Sequence, residues 1–337
     1  MLRYFAIPPD DYQCTPIRSG HINRSWRVSG SQPEGPEYFL QQLNTDIFPD
    51  PAAICANMRT LEGALKRSDT FLEAAALIPT KEGWFHRDNE GNCFRLQEYK
   101  TELRGRELPC SNEDIYRAGG AFGEFFRIIN ENRITSYRTI LPGFHNVILR
   151  VQQLKAAIRR DRVHRVGECR SLLAKAEDLL ERATRIERSN LPVRVTHNDT
   201  KFNNVLLAPN GTRACVVDLD TVQAGCVHFD FGDGIRTTCT GVAEDALPEA
   251  QIPQTERLRA WRTGYLDRAG GLLSATEKDL LPYAGGTLAY LMGIRFLADH
   301  LNGDVYYRIR EERQNYRRAA AQLALAERLF EMEATSV

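Results

Sequence analysis

Residues 196–221 read THNDTKFNNVLLAPNGTRACVVDLDT. The stretch divides into a polar loop, a short apolar run at 205–207, a Pro-Asn-Gly turn at 209–211 and a second apolar run ending at Asp218. Two apolar runs joined by such a turn predict short strands. Asp199 lies in the polar loop, and Asn204 follows five residues later at the edge of the first run. Asp220 stands two residues beyond Asp218, so the two acids are expected on one side if the chain stays extended. Asn204 and Asp218 are oxygen donors of the kind that hold Mg²⁺ together with phosphate oxygens and water. Asp199, ionised at neutral pH, is free to orient an acceptor hydroxyl and take its proton, and Lys201 is placed to neutralise phosphate charge. Any one of these residues is more often a cap or an Asx-turn. The ordered set, in its strand context, points to phosphoryl transfer.

Outward from this segment the chain changes character twice. In the first hundred residues, HINRSWRV (21–28), EYFLQQLN (37–44) and CFRLQEYK (93–100) read as strands, with TFLEAAALIP (70–79) as a further candidate. PAAICANMRTLEGALKRS (51–68) carries apolar and small residues at helical spacing. The result is a small, mostly antiparallel sheet with one helix against it. After Lys100 the pattern turns helical, at 112–131, 146–160 and 168–188, and again from about residue 244 to the end. The expected class is α+β, in two lobes: residues 1–99, sheet-rich, and residues 100–337, mainly helical. A D-x-x-x-x-N spacing ahead of an apolar strand that ends in Asp is the arrangement of kinases with a protein-kinase-like fold. The basic stretch RRDRVHR (159–165) reads as a solvated helix end.

Composition bounds the partners. The 337 residues include 44 Lys+Arg and 44 Asp+Glu, which disfavours a chain that coats nucleic acid or an anionic membrane. Eight cysteines form no CxxC pair, and no run approaches the length of a membrane helix. A cytoplasmic chain with free thiols, a monomer or weak homodimer, is expected. No G-x-x-x-x-G-K-[ST] or G-x-G-x-x-G occurs. Asp230-Phe231-Gly232 imitates the metal-binding triplet of protein kinases, but Asp218 already ends the strand that presents that ligand. Asp230 and Asp233 are therefore read as scaffold acids that hold the acidic loop or cap the next helix.

The segments HNDTKFNNVLL (197–207) and VVDLDT (216–221) resemble the aminoglycoside phosphotransferase/choline kinase superfamily. With GHIN (20–23), LNTDIFPDP (43–51), FDFGDGIR (229–236) and RFLADHLNGDVYY (295–307), the chain is most similar to the N-acetylhexosamine 1-kinase branch. The resemblance implies a bilobed fold with Mg²⁺-ATP between the lobes and transfer to the anomeric hydroxyl of N-acetylglucosamine or N-acetylgalactosamine. By it, Asp199 is similar to the catalytic base, and Asn204 and Asp218 resemble the magnesium ligands. Tyr99 and Lys100 fall near the hinge that meets adenine, and Glu62 falls in the N-lobe helix where an acid is common. Gly20, Arg24 and Lys201 complete the nucleotide side. Arg295 matches a sugar-contacting position, with Asp299 and Tyr306 in the same segment and Asn23 and Asp220 on the rim.

One departure stands out. Related kinases often carry Lys or Arg at the end of the strand written here YFLQQLN, where this chain has Gln41 and Gln42. Gln cannot supply charge, so Glu62 loses its expected ion-pair partner unless Arg24 or Lys201 provides a cation from elsewhere. The departure keeps two alternatives in play: a kinase for another sugar, an amino alcohol or an aminoglycoside, and a kinase-like sensor without catalysis.

Overall fold

The computed structural model describes residues 1–17, 22–32, 35–131 and 136–334, with the side chains of 333 and 334 left aside. Its first lobe is built on an antiparallel sheet of five strands: β1 (Gln13–Ile17), β2 (Arg24–Ser29), β3 (Tyr38–Leu43), β4 (His86–Arg87) and β5 (Cys93–Glu98). Their spatial order is β1-β2-β3-β5-β4. Leu40 pairs with Leu96 and, one residue on, Gln41 pairs with Arg95. Strand alternation therefore sorts the sheet into two faces. Val28, Tyr38, Leu40 and Leu96 join Phe5 in an apolar cluster on one of them, and Gln41 and Arg95 fall on the other. Helix α1 (Pro51–Arg67) begins where the Asp50 side chain accepts the Ala53 N–H at 2.9 Å and Pro51 opens the first turn.

The segment 70–79 is not a strand of this sheet. Its backbone divides its hydrogen bonds between the lobes: Glu73 N–H donates to Ala214, while Ile78 N–H donates to Leu96 and Ala76 accepts from Glu98. Neither neighbour is followed long enough to make a ladder. β1 and β4 escape the periodicity reading because β1 is a mostly exposed edge strand with Pro16 inside it and β4 has two residues.

The chain leaves the sheet through residues 98–104, where Tyr99 N–H donates to Glu37 and Arg104 bridges to Leu207. The second lobe comprises α2 (Asn112–Glu131), α3 (Val147–Arg160), α4 (Arg170–Asp178), α5 (Leu180–Ala183), α6 (Val227–Thr238), α7 (Thr255–Ala269), α8 (Ala275–Asn302) and α9 (Gln314–Ala334). The single helix expected over 168–188 is thus two pieces. The bonds Leu179 N–H to Lys175 and Ala183 N–H to Leu179 carry across the junction, so the helix tightens there rather than stopping. Arg159 and Arg160 are exposed at the end of α3, as a solvated helix end requires.

Helix α8 starts on a capping box between Ser274 and Glu277 and packs against α3, α6 and α9. Helices α2 and α7 approach so closely that a Cβ at Gly123 would lie 2.4 Å from the Tyr265 carbonyl oxygen. A Cβ at Gly264 would lie 2.1 Å from that of Tyr116. Two short ladders, β6 (Arg194–Thr196) with β9 (Gln223–Gly225) and β7 (Val205–Leu207) with β8 (Ala214–Val216), lie at the edge of this lobe facing the sheet. No described helix is long and apolar enough to cross a membrane. All eight cysteines are free thiols, with Cys14 and Cys110 exposed.

Candidate active site

The catalytic loop is held from below by α6. Asp230 accepts the backbone N–H groups of His197 at 2.8 Å and Asn198 at 2.7 Å, and its own carbonyl accepts from the Thr200 hydroxyl at 2.5 Å. The scaffold role expected for Asp230 is what these bonds perform. Asn198 adopts a left-handed backbone with φ +66°, a conformation Asn tolerates better than most residues, and its amide donates to the Thr221 carbonyl at 2.8 Å. His197 is buried against Phe122 and Phe125, and its Nε2 donates to the Val217 carbonyl at 2.9 Å. The catalytic loop is thereby tied to the strand that ends in Asp218.

Asp199 projects from this platform. The Lys201 ammonium lies 2.8 Å from one carboxylate oxygen, and the Asn204 amide donates to the other and to the Asp199 carbonyl, each at 2.8 Å. Withdrawal from water works to raise the Asp199 pKa. Lys201, His197 and the Asn204 hydrogen bond outweigh it and hold the carboxyl below its usual range. The group is ionised at neutral pH, as a proton acceptor must be.

Asn204 and Asp218 meet through the ladder: Val205 pairs with Val216, and Val217 N–H donates to the Asn204 carbonyl at 2.9 Å. Both Asn204 amide hydrogens go to Asp199, which leaves the side-chain oxygen as a ligand atom. Asp218 is exposed, but the protein packed around it withdraws part of its hydration, and the Asp220 and Asp199 charges add to the effect. Its pKa is pushed up to about 7. A hard-oxygen pair with this surplus of negative charge fits a divalent cation such as Mg²⁺, which Asn204 and Asp218 would hold.

Asp218 and Asp220 do not share a side. Asp218 takes a left-handed backbone with φ +59° and opens the 3₁₀ turn Leu219–Thr221. The turn swings Asp220 into the protein, where it is 1% exposed and paired with Arg95. Its other oxygen accepts from the Asn23 amide at 2.7 Å, and the Asn23 oxygen accepts the Asn44 N–H at 2.9 Å. The two residues expected on the rim of an acceptor pocket are bonded to each other across the lobes.

The chain matches the model of the phosphotransferase enzyme family over residues 13–265. It belongs to this family. Solved structures share its fold. A microcompartment-associated aminopropanol kinase is 18% identical, with 98% of this chain and 96% of that chain covered and a TM-score of 0.67. A spectinomycin phosphotransferase in complex with ADP and spectinomycin is 12% identical, with 98% and 96% covered and a TM-score of 0.62. A choline kinase from Cryptosporidium parvum Iowa II is 14% identical, with 100% and 92% covered and a TM-score of 0.58.

Of the residues expected on the nucleotide side of this phosphotransferase, Tyr99 and Lys100 lie on the segment joining the lobes. The Tyr99 ring carries the Arg27 guanidinium 5.1 Å from its centroid, and Lys100 pairs with Glu98 at 3.1 Å and Glu73 at 3.4 Å. Arg24 is exposed at the start of β2, opposite Gln42. Gly20 lies outside the described residues. Glu62 does not await a strand cation: Arg59 and Lys66 of its own helix each pair with it at 2.7 Å. The buried cation of the sheet is Arg95, which the sequence reading passed over. Its signal was an Arg standing between apolar residues in CFRLQEYK; only the strand pairing brings it beside Gln41.

Of the residues expected on the acceptor side, Arg295 of α8 sits among Phe144, Tyr307 and Tyr306, with its guanidinium 5.1, 5.6 and 6.0 Å from their ring centroids. Asp299, one turn further on, does not pair with it. The Asp299 carboxylate accepts the backbone N–H groups of Val305, Tyr306 and Tyr307 at 2.8–3.0 Å, together with the Asn315 amide at 3.0 Å. Asp299 therefore shapes the loop that presents Tyr306, which is 51% exposed. His145 bridges this region to catalysis, its Nε2 donating to the Asn198 carbonyl at 2.8 Å. Burial above all, with the charge of Arg295 and Arg150 added, lowers its pKa to about 3. Neither His145 nor the aromatic surround of Arg295 has a spacing signature in the sequence, because the contacts join α3, α6, α8 and the catalytic loop.

Proposed function

We propose that the protein transfers the γ-phosphoryl group of ATP to the C1 hydroxyl of an N-acetylhexosamine, N-acetylglucosamine or N-acetylgalactosamine. The observation that carries the acceptor class is the charge of the acceptor side. Burial, with the nearby Arg295 charge added, holds the Arg150 pKa below its usual value, and Tyr306 and Tyr307 flank Arg295. Of the acids near this side, Asp233 and Glu244 share the Arg236 guanidinium, at 2.8 Å and 2.9 Å. A site of guanidinium donors and aromatic faces suits a neutral sugar bearing hydroxyls and an N-acetyl group. A choline or aminoglycoside cation would meet like charge there.

In this reading Asp199 accepts the proton of the acceptor hydroxyl and orients its oxygen toward phosphorus. Lys201, paired with Asp199, brings positive charge to the transferring group. Mg²⁺ bound at Asn204 and Asp218 would draw off the phosphate charge that develops during transfer. Asp230 and His197 keep the base and the ligand strand in register.

An ADP-release assay with N-acetylhexosamines, plain hexoses, choline and aminoglycosides tests the reading, followed by phosphorus NMR of the product. Turnover of N-acetylhexosamines with phosphate on C1 is expected. Turnover confined to choline or an aminoglycoside would overturn the acceptor class.

A further inference from the structure

Gln41 and Arg95 face each other across β3 and β5. The Gln41 side-chain oxygen accepts two guanidinium N–H groups of Arg95, at 3.0 Å from Nε and 2.6 Å from Nη2. Arg95 Nη1 reaches the Asp220 carboxylate and lies 3.3 Å from the Met58 sulfur of α1. Arg95 is 1% exposed, so its charge is compensated by Asp220 and not by solvent. Asp220 follows Asp218 by two residues in the same turn, which leaves Asp218 exposed and buries Asp220. A Lys at position 41 would set a second cation against this guanidinium. The neutral amide is what the neighbour strand requires.

We propose that Arg95 is a positioning residue for the metal-binding loop: it latches the sheet to Asp220 and thereby sets the Asp218 carboxylate for the metal–nucleotide complex. The cation absent from the end of β3 has, in effect, been moved one strand over and turned from the cleft toward the loop. This inference rests on the phosphotransferase reading of the cleft and adds a residue that acts through Asp220, without touching the nucleotide itself.

The test is calorimetric binding of ADP by the full chain, titrated with Mg²⁺ and repeated in EDTA. The variants are Arg95→Gln, Asp220→Asn and the double variant Arg95→Gln with Gln41→Lys, and thermal melting confirms that each is folded. For Arg95→Gln and Asp220→Asn, the Mg²⁺ concentration for half-maximal ADP binding should rise by about 10- to 100-fold, as loss of an outer-shell partner does. ADP binding in EDTA should stay close to wild type. Lys at position 41 should recover part of the Mg²⁺ dependence by offering Asp220 a cation from β3. A folded Arg95→Gln or Asp220→Asn variant with wild-type Mg²⁺ dependence would overturn the latch, as would an equal loss of binding in EDTA. Should Arg95→Gln fail to fold, the shape-matched Asp220→Asn decides alone. A wild-type chain that binds no ADP would overturn the phosphotransferase reading first, which separates the two failures.

Discussion

Asp199 is the residue on which turnover should depend most steeply. Replacing it with Ala removes the proton acceptor and should lower kcat by about 10²- to 10⁴-fold, with ADP affinity retained. Near-normal kcat in that variant would contradict its assignment as base. His145 carries a different prediction, on stability. Its folded pKa is about 3 against the 6.5 of a free imidazole, so between those values the unfolded chain binds a proton that the folded chain does not. Its contribution is complete above pH 6.5 and is lost as pH falls toward 3, with a slope of up to about 1.4 kcal/mol per pH unit. Urea unfolding at pH 7 and pH 5 should show His145→Gln losing less stability on acidification than wild type. Parallel losses would rule the group out as a source of acid sensitivity. Asp199, Asn204 and Asp218 were legible in the sequence because one short segment carries all three with its turn and strands. Arg95, His145 and the Phe144 ring beside Arg295 were not, since each acquires its meaning from a partner more than fifty residues away. The failed pairing of Asp218 with Asp220 has a local cause: alternation assumes an extended chain, and the backbone turns left-handed at Asp218.

At the scale of elements, periodicity found α1, α2 and α3 to within a residue or so and missed what depends on partners. The segment 70–79 has a strand's composition but divides its hydrogen bonds between two lobes, and β1 hides behind its Pro16. Glycine is a weak helix former, yet the glycines of α2 and α7 permit the backbone contact between the two helices. Gly123→Ala should therefore destabilise the helical lobe by about 1–3 kcal/mol through overpacking, despite the higher helix propensity of Ala. Chemical denaturation would check this, and an unchanged or raised midpoint would show that the helices can part without cost. Helix α6 links packing to chemistry most directly, because Asp230 reaches the catalytic loop from a helix fixed in turn by the Trp261 indole N–H, 3.0 Å from the Phe231 carbonyl.

For the whole molecule, equal numbers of basic and acidic residues leave no net charge to steer a charged ligand from a distance. Acceptor kcat/KM should consequently vary little, about two-fold or less, between 50 and 300 mM salt, where a strongly charged surface would give a steep decline. A steep salt slope would point to a charged acceptor and against the sugar. The two lobes meet through the Asp199 cleft, the 98–104 connection and the Arg95–Asp220 pair, so their relative motion is the variable worth observing. The thiols offer a way to do so. Cys14 lies on the edge strand of the sheet lobe and Cys110 just ahead of α2 in the helical lobe, and these are the two exposed cysteines of the eight. A maleimide dye pair on native Cys14 and Cys110 would form a built-in spectroscopic ruler across the hinge, reporting opening and closing in solution without a single engineered residue.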